Sequence, residues 1–358
     1  MKPSTPKSAH KGRGAVSAKD GRFVARPVVF EPGEAAARAA LRPATHTRAM
    51  RAGKIISSNT SPDIPFNRSI NPYQGCEHGC IYCYARPSHS YLDLSPGLDF
   101  ETRIFYKPNA AERLLAEWEK PGYVCEAITL GANTDPYQPA EKKFALTRRL
   151  LEQFAKHHHP VNLITKSSLI ERDIDLLAAL ASRRLCSVAI SMPTMDRALK
   201  RVMEPRVPSA EARLASIEKL RANGIPVSVL VAPVIPALND HEIEAILERV
   251  AAAGAQQAHY IFLRLPLEVR DLFVEWLECH FPDRAKHVMS LVRQASGNQD
   301  YDARFGIRQR GRGPYADMLA KRFNNACARY GLKQGRYENS LDCSQFEPPG
   351  QQQLGLGF

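Results

Sequence analysis

The chain has 358 residues, 44% of them hydrophobic, and a formal net charge of +12. That is enough apolar material for one large barrel with extensions, or for two small domains. No apolar run reaches the roughly 20 residues of a membrane span. The basic N-terminus also lacks the apolar stretch of a secretory signal, so no membrane contact is expected and the cytoplasm is the default compartment.

Residues 1–60 read as a basic, extended or disordered arm, rich in Lys, Arg, Ser, Gly and Pro, with a short helix expected from Glu34 to Leu41. Such an arm either touches a polyanion or partner, or is a solvated tail. Residues 61–282 read as the core, and residues 283–358 as a C-terminal helical extension and tail.

The stretch Asn71–Arg86, NPYQGCEHGCIYCYAR, sets Cys76, Cys80 and Cys83 at Cys-x3-Cys-x2-Cys spacing. Three thiols so crowded can face one centre only if the chain curls round it, and Gly75 and Gly79 give the backbone that freedom. A four-iron cluster normally takes four cysteine thiolates, so a three-cysteine loop leaves one iron open to a ligand that is not protein. The competing reading is a zinc knuckle with His78 or a distant cysteine as fourth ligand. Against it, no second Cys pair follows downstream. The other five cysteines, Cys125, Cys186, Cys279, Cys327 and Cys343, are scattered and suggest neither a disulfide framework nor a second cluster.

Beyond the loop the pattern alternates strand and helix. Apolar runs predict strands at Ser69–Gln74, Ala127–Gly131, Val161–Lys166, Cys186–Met192, Pro226–Ala232 and His259–Leu265, each short and continuous, as in a parallel sheet buried on both faces. Helical periodicity predicts helices at Asn109–Lys120, Phe144–Lys156, Ile174–Ala181, Ala210–Asn223, Asp240–Ala253 and Val269–Cys279. Asn223-Gly224 reads as a helix stop, Asn239 or Asp240 as a helix cap and Ser209 as another. Six such units give an α/β fold, a partial (β/α)6 TIM-type barrel. Helices near Ala285–Gln294 and Pro314–Tyr330, an Arg-rich loop at Arg304–Arg312 and an irregular tail complete the chain.

In such barrels the strand C-termini build the site. The second strand is followed by Asn133-Thr134-Asp135-Pro136-Tyr137-Gln138, more hydrogen-bonding groups than a turn needs, although an Asx-turn at Asp135 accounts for part of it. Lys166 ends the third strand, where it either meets an anion or snorkels to the rim. Ser191 ends the fourth. Glu204 and Arg206 either bind a ligand or pair with each other. Pro233-Val234-Ile235-Pro236 makes an apolar, Pro-fixed turn after the fifth. His157-His158-His159 reads as a surface run, since three consecutive histidines cannot share one ion.

The spacing of the cysteine loop, with Tyr82 before the last cysteine, resembles the radical S-adenosylmethionine (SAM) superfamily. Together with LGANTDPYQPAE, ITKSSLIERDIDLL and VSVLVAPVIPALND, it resembles the spore photoproduct lyase-like branch, whose members are often labelled DNA repair photolyase-like. The resemblance implies a [4Fe–4S] cluster on Cys76, Cys80 and Cys83, with SAM on the open iron and cleaved to a 5′-deoxyadenosyl radical. It implies SAM contacts from Tyr82, Asn133, Thr134, Asp135, Lys166, Ser191, Ile235 and Pro236, and an electron donor such as flavodoxin or ferredoxin. One departure stands out. The true lyases carry a hydrogen-donor cysteine where this chain has Ala132, and Tyr137 or Cys343 would have to replace it. The basic balance permits nucleic acid as substrate. The alternatives are a protein or small-molecule substrate, and a non-catalytic zinc-dependent nucleic-acid-binding module.

Overall fold

The computed structural model describes residues 9–24, 43–334 and 341–350. Its strands are β1 (His46–Ala49), β2 (Ile56–Ser58), β3 (Arg68–Ile70), β4 (Tyr73–Gln74), β5 (Arg103–Tyr106), β6 (Ile128–Leu130), β7 (Val161–Thr165), β8 (Cys186–Ser191), β9 (Val227–Val234) and β10 (Gln257–Phe262). Seven of them form one sheet in the order β10-β9-β8-β7-β6-β3-β2. From β3 to β10 the neighbours are parallel and follow chain order, the six-unit arrangement expected from the sequence. β2 adds antiparallel at the β3 edge. Among the described residues no strand pairing joins β10 to β2, so the barrel is open.

Two sets of side chains alternate across this sheet, as strand geometry requires. Ile128, Leu130, Val161, Leu163, Val188, Val227 and Val229 join the main core together with helix residues Leu114, Trp118, Leu150, Phe154 and Ile246. The intervening positions are small and polar: Ser69, Thr129, Asn162 and Ser187 stand in one register across four strands. Ser187 donates to Asn162 Oδ1 at 2.8 Å.

The eight helices expected from Asn109 onward are present, each within a few residues of its predicted span. Ser209 caps Ala210–Ala222, accepting from the Ala212 amide at 3.2 Å. Asn239 makes no cap. Its amide instead bonds the Pro193 and Pro233 carbonyls and the Ile235 amide, and so fixes the turn after β9. The first expected strand splits into β3 and β4, because Pro72 between them has no N–H to continue the ladder. β4 pairs instead with β5, in a second, three-stranded sheet with β1.

Several expectations are corrected. Residues 9–24 are not an extended arm: Arg13, Ala15 and Val16 are buried, and Lys19 and Arg22 pair with Asp271 and Glu268 on the helix Glu268–His280. The expected helix at Glu34–Leu41 lies outside the described residues. His157 and His159 are buried, not surface. His159 stacks on Trp118, with ring centroids 4.6 Å apart, while Phe346 packs edge-on against both rings. The tail segment bearing Phe346 is pinned by a Glu347 amide to His157 carbonyl bond of 3.0 Å. The Arg-rich loop reaches from β10, where the Phe262 amide bonds the Gln309 carbonyl, to the β2–β3 connection, where Arg308 pairs with Asp63 at 2.5 Å. It thus spans the open seam of the barrel.

Candidate functional site

The cysteine loop follows β4 at the C-terminal end of the parallel strands. Gly75 (φ +80°) and Gly79 (φ +67°) hold left-handed conformations there, and a Cβ on Gly79 would meet Glu101 Oε2 at 2.7 Å. Successive turns shape the loop: the Gly79 amide bonds the Cys76 carbonyl, the Cys83 amide the Cys80 carbonyl, and the Arg86 amide the Cys83 carbonyl. Cys76 and Cys80 are buried, Cys83 is half-buried, and none is in a disulfide. Burial pushes the Cys80 and Cys83 thiols up, and the neighbouring thiols of the loop add to the rise. Among the described residues no three Cys, His, Asp or Glu groups gather at the spacing that holds one metal ion. Three free thiols on one tightly turned loop suit the chemistry of an iron–sulfur cluster.

The loop is braced from both sides. Arg86, wholly buried, donates through Nε to the Cys80 carbonyl at 3.0 Å and through Nη1 to the Gly97 carbonyl at 2.9 Å. Its Nη2 meets Glu101 Oε1 at 2.5 Å. Glu101 also accepts from the Gly14 and Ala15 amides at 3.0 and 2.8 Å, so the N-terminal segment straps the back of the loop. On the other side Gln138 accepts from the Glu77 amide and donates to the Gly75 carbonyl, both at 3.0 Å. His78 faces Asp135 Oδ2 at 3.3 Å. Burial opposes the charge on both partners, but their mutual attraction holds Asp135 down at about 2, and Asp135 together with Cys76 raises His78 to about 10.

The structure brings most of the predicted residues together. Tyr82 donates to Glu204 Oε1, and the other oxygen of Glu204 pairs with Arg213 at 2.6 Å. Glu204 Oε1 also stands 3.9 Å from Cys80 Sγ. Arg213 continues to the Ser191 carbonyl at 2.7 Å, so Tyr82 and Ser191 share one buried network. Glu204 and Arg206 do not pair with each other; Arg206 takes Glu77 at 2.9 Å. Lys166 Nζ stands 6.0 Å from the Tyr82 ring centroid. Burial works against its charge, yet Cys80, Glu204, Asp135 and Cys83 around it raise its pKa. Asp135 accepts from the Lys166 and Tyr137 amides and the Thr165 hydroxyl at 2.8, 2.9 and 2.7 Å, the Tyr137 bond closing the expected Asx-turn. Thr134 donates to the Tyr73 carbonyl at 2.8 Å. The Asn133 side chain is exposed at the strand end. Ile235 and Pro236 are buried in the turn held by Asn239.

Two groups at the rim were not singled out from the sequence: Tyr84 sits inside the cysteine motif without a spacing of its own, and Arg264 belongs to no motif. Tyr84, next after Cys83, donates to the Ala132 carbonyl, and Arg264 beyond β10 lies 5.1 Å from its ring centroid. Cys343 lies against Cys125, on the loop that enters β6. That is the opposite end of the strands from the cysteine loop, so Cys343 cannot serve the site as hydrogen donor. Tyr137 is wholly buried.

Residues 70–250 match the pattern of the radical SAM superfamily. The chain belongs to this superfamily. It is therefore a radical SAM enzyme, and the reading as a non-catalytic zinc module falls. Among relatives, an uncharacterized protein of Mycobacterium tuberculosis is 37% identical over 75% of this chain and 76% of its own. A radical SAM Nalpha-GlyT isomerase of Pseudomonas phage M6 is 27% identical over 62% of this chain and 45% of its own. Among solved structures, a spore photoproduct lyase variant with bound AdoMet and dinucleoside spore photoproduct superposes with a TM-score of 0.60 at 17% identity, covering 88% of each chain. The shared fold is that of spore photoproduct lyase. No described helix is long and apolar enough to cross a membrane.

Proposed function

We propose that the chain uses a [4Fe–4S] cluster on Cys76, Cys80 and Cys83 to cleave SAM, and that it acts on nucleic acid. The carrying observation is the convergence of three free thiols on one braced loop, with the cation of Lys166 beside two of them. When bound, the reduced cluster supplies an electron to SAM and so a carbon radical that takes hydrogen from the substrate.

The chain's own residues then divide the remaining work. Lys166 is the cation for the SAM carboxylate. Asn133, exposed and with its side chain open, is the candidate for the amino group. Asp135 has its carboxylate oxygens committed to protein donors, and Thr134 gives its hydroxyl proton to the Tyr73 carbonyl, so both position the loop and the end of β7. Tyr82, held by Glu204, and the buried Ile235–Pro236 turn form the apolar wall of the SAM site, and Ser191 joins that wall through Arg213. Burial of this wall keeps water from a reactive carbon centre. The cofactors do the hard chemistry while the protein orients them.

Support for nucleic acid comes from the net charge of +12 and from the dinucleoside bound by the structural neighbour. Ala132 in place of the lyase cysteine points to a reaction other than thymine-dimer reversal, repair or modification of a different kind. The test is anaerobic. The full chain and its Cys83→Ala variant are reconstituted with iron and sulfide, reduced with dithionite and given SAM. Visible cluster absorbance and 5′-deoxyadenosine from the native chain alone support the reading. A colourless native chain that leaves SAM intact overturns it. DNA or RNA that raises turnover supports the substrate class; turnover indifferent to both removes it.

A further inference from the structure

We infer that the rim of the site carries a track for an unpaired nucleic-acid strand, running from Tyr84 and Arg264 to Phe23 and Tyr91. The inference rests on the nucleic-acid reading above. Its starting point is a cation without a counter-charge. Among the described residues no carboxylate pairs with Arg264, and its Nε is buried with no hydrogen-bond acceptor. A half-buried guanidinium left in this state is costly unless an anion completes it. Tyr84 beneath it keeps 46% of its surface open to solvent, although it directly follows a cluster cysteine.

The rim continues along the chain from Arg264. Leu267 is 61% exposed, and the next residue, Glu268, accepts from the Ser90 hydroxyl at 3.2 Å and from Arg22 Nη1 at 3.0 Å. Arg22 in turn lies 4.7 and 5.0 Å from the ring centroids of Phe23 and Tyr91, which are themselves 5.1 Å apart. Phe23 and Tyr91 are 51% and 71% exposed. Of the seven large hydrophobic side chains exposed among the described residues, four therefore lie on this one rim. They alternate with guanidinium groups, one of them unpaired.

Exposed aromatic faces beside cations fit one polyanion well: a strand whose bases are free to stack while its phosphates meet arginine. A duplex hides its base faces, so only a single-stranded or extruded nucleotide can use these rings. The enzyme thus receives its target base already unpaired, with flanking bases held on Phe23 and Tyr91.

The test uses the full chain and a short fluorescein-labelled oligothymidylate, alone or annealed to its complement, read by fluorescence anisotropy across a salt series. The variants are Phe23→Ala, Tyr91→Ala and Arg264→Gln, the first two at exposed positions. The native chain is expected to bind the single strand more tightly than the duplex. A stacked base is worth about 1–3 kcal/mol, so each aromatic variant should weaken single-strand binding roughly 5- to 150-fold and leave duplex binding unmoved. Arg264→Gln should weaken binding and reduce the salt slope by about one. Equal affinity for duplex, or native affinity in both aromatic variants, overturns the track alone. Binding of neither form by the native chain overturns the nucleic-acid reading and the track with it.

Discussion

Arg86 meets Glu101 at 2.5 Å with neither side chain reached by solvent. The pair joins three pieces of chain. Arg86 holds the Gly79 and Cys80 carbonyls of the cysteine loop, and Glu101 holds the amides of Gly14 and Ala15. Removing one partner leaves the other as an uncompensated buried charge, a loss of about 3–5 kcal/mol. Glu101→Gln should therefore lower the thermal unfolding midpoint and reduce the iron retained after reconstitution. Native iron content together with a native midpoint would show that the pair does not brace the loop.

The strap itself is tested at Gly14. A Cβ there would stand 1.9 Å from the Gly79 carbonyl oxygen, which is backbone and cannot step aside cheaply. Gly14→Ala should lift the strap from the loop while leaving the barrel folded. Hydrogen exchange should then speed up at the amides of Gly14 and Ala15, with strand amides such as those of β8 unchanged. Retained protection at both amides would mean that the strap tolerates the added carbon.

These two sites also show what the sequence could and could not reveal. The parallel strands were legible because each is a short apolar run; all six residues of β8 are buried. The cysteine spacing was legible because its three cysteines lie within eight residues. Arg86 lay inside the motif, but its partner Glu101 is fifteen residues on, and the strap residue Gly14 is 87 residues from that partner. A buried ion pair leaves no periodicity to read. Gln138 was in view within the strand-end cluster, yet its role depends on the loop folding back over it. His157–His159 misled because a polar run normally faces solvent, whereas here Trp118 and Phe346 enclose His159.

His159 makes stability depend on pH. Tyr123 Oη lies 2.8 Å from its Nε2, and its Nδ1 lies 3.0 Å from the Pro160 carbonyl oxygen. This geometry fits a neutral ring protonated at Nδ1. Burial is the main cause that lowers its pKa from 6.5 to about 3. The unfolded chain takes up a proton near 6.5 while the folded chain resists until about 3. The stability is therefore present above pH 6.5 and lost as pH falls through that window. By linkage the loss from pH 7 to pH 5 is about 2 kcal/mol. Denaturant melts of the native chain and of His159→Phe should separate: the variant lacks this part of the acid slope. Parallel slopes for the two would place the proton elsewhere.

The role proposed for Lys166 separates SAM binding from cluster binding. Its ammonium is flanked by Cys80, Glu204, Asp135 and Cys83 and no hydrogen bond fixes Nζ among the described residues, so it is free to turn to a carboxylate. The three thiols do not depend on it for their loop geometry, which Arg86, Gln138 and the glycines maintain. Lys166→Met keeps the length and removes the charge. A hydrogen bond to a charged group is worth about 1.5–3 kcal/mol. The variant should therefore hold native iron and absorbance but bind SAM roughly ten- to a hundredfold more weakly, as read by equilibrium dialysis of the reconstituted protein. Loss of iron in the variant would make Lys166 part of the cluster's own support. Native SAM affinity would hand the carboxylate to another group and reduce Lys166 to charge balance for Glu204.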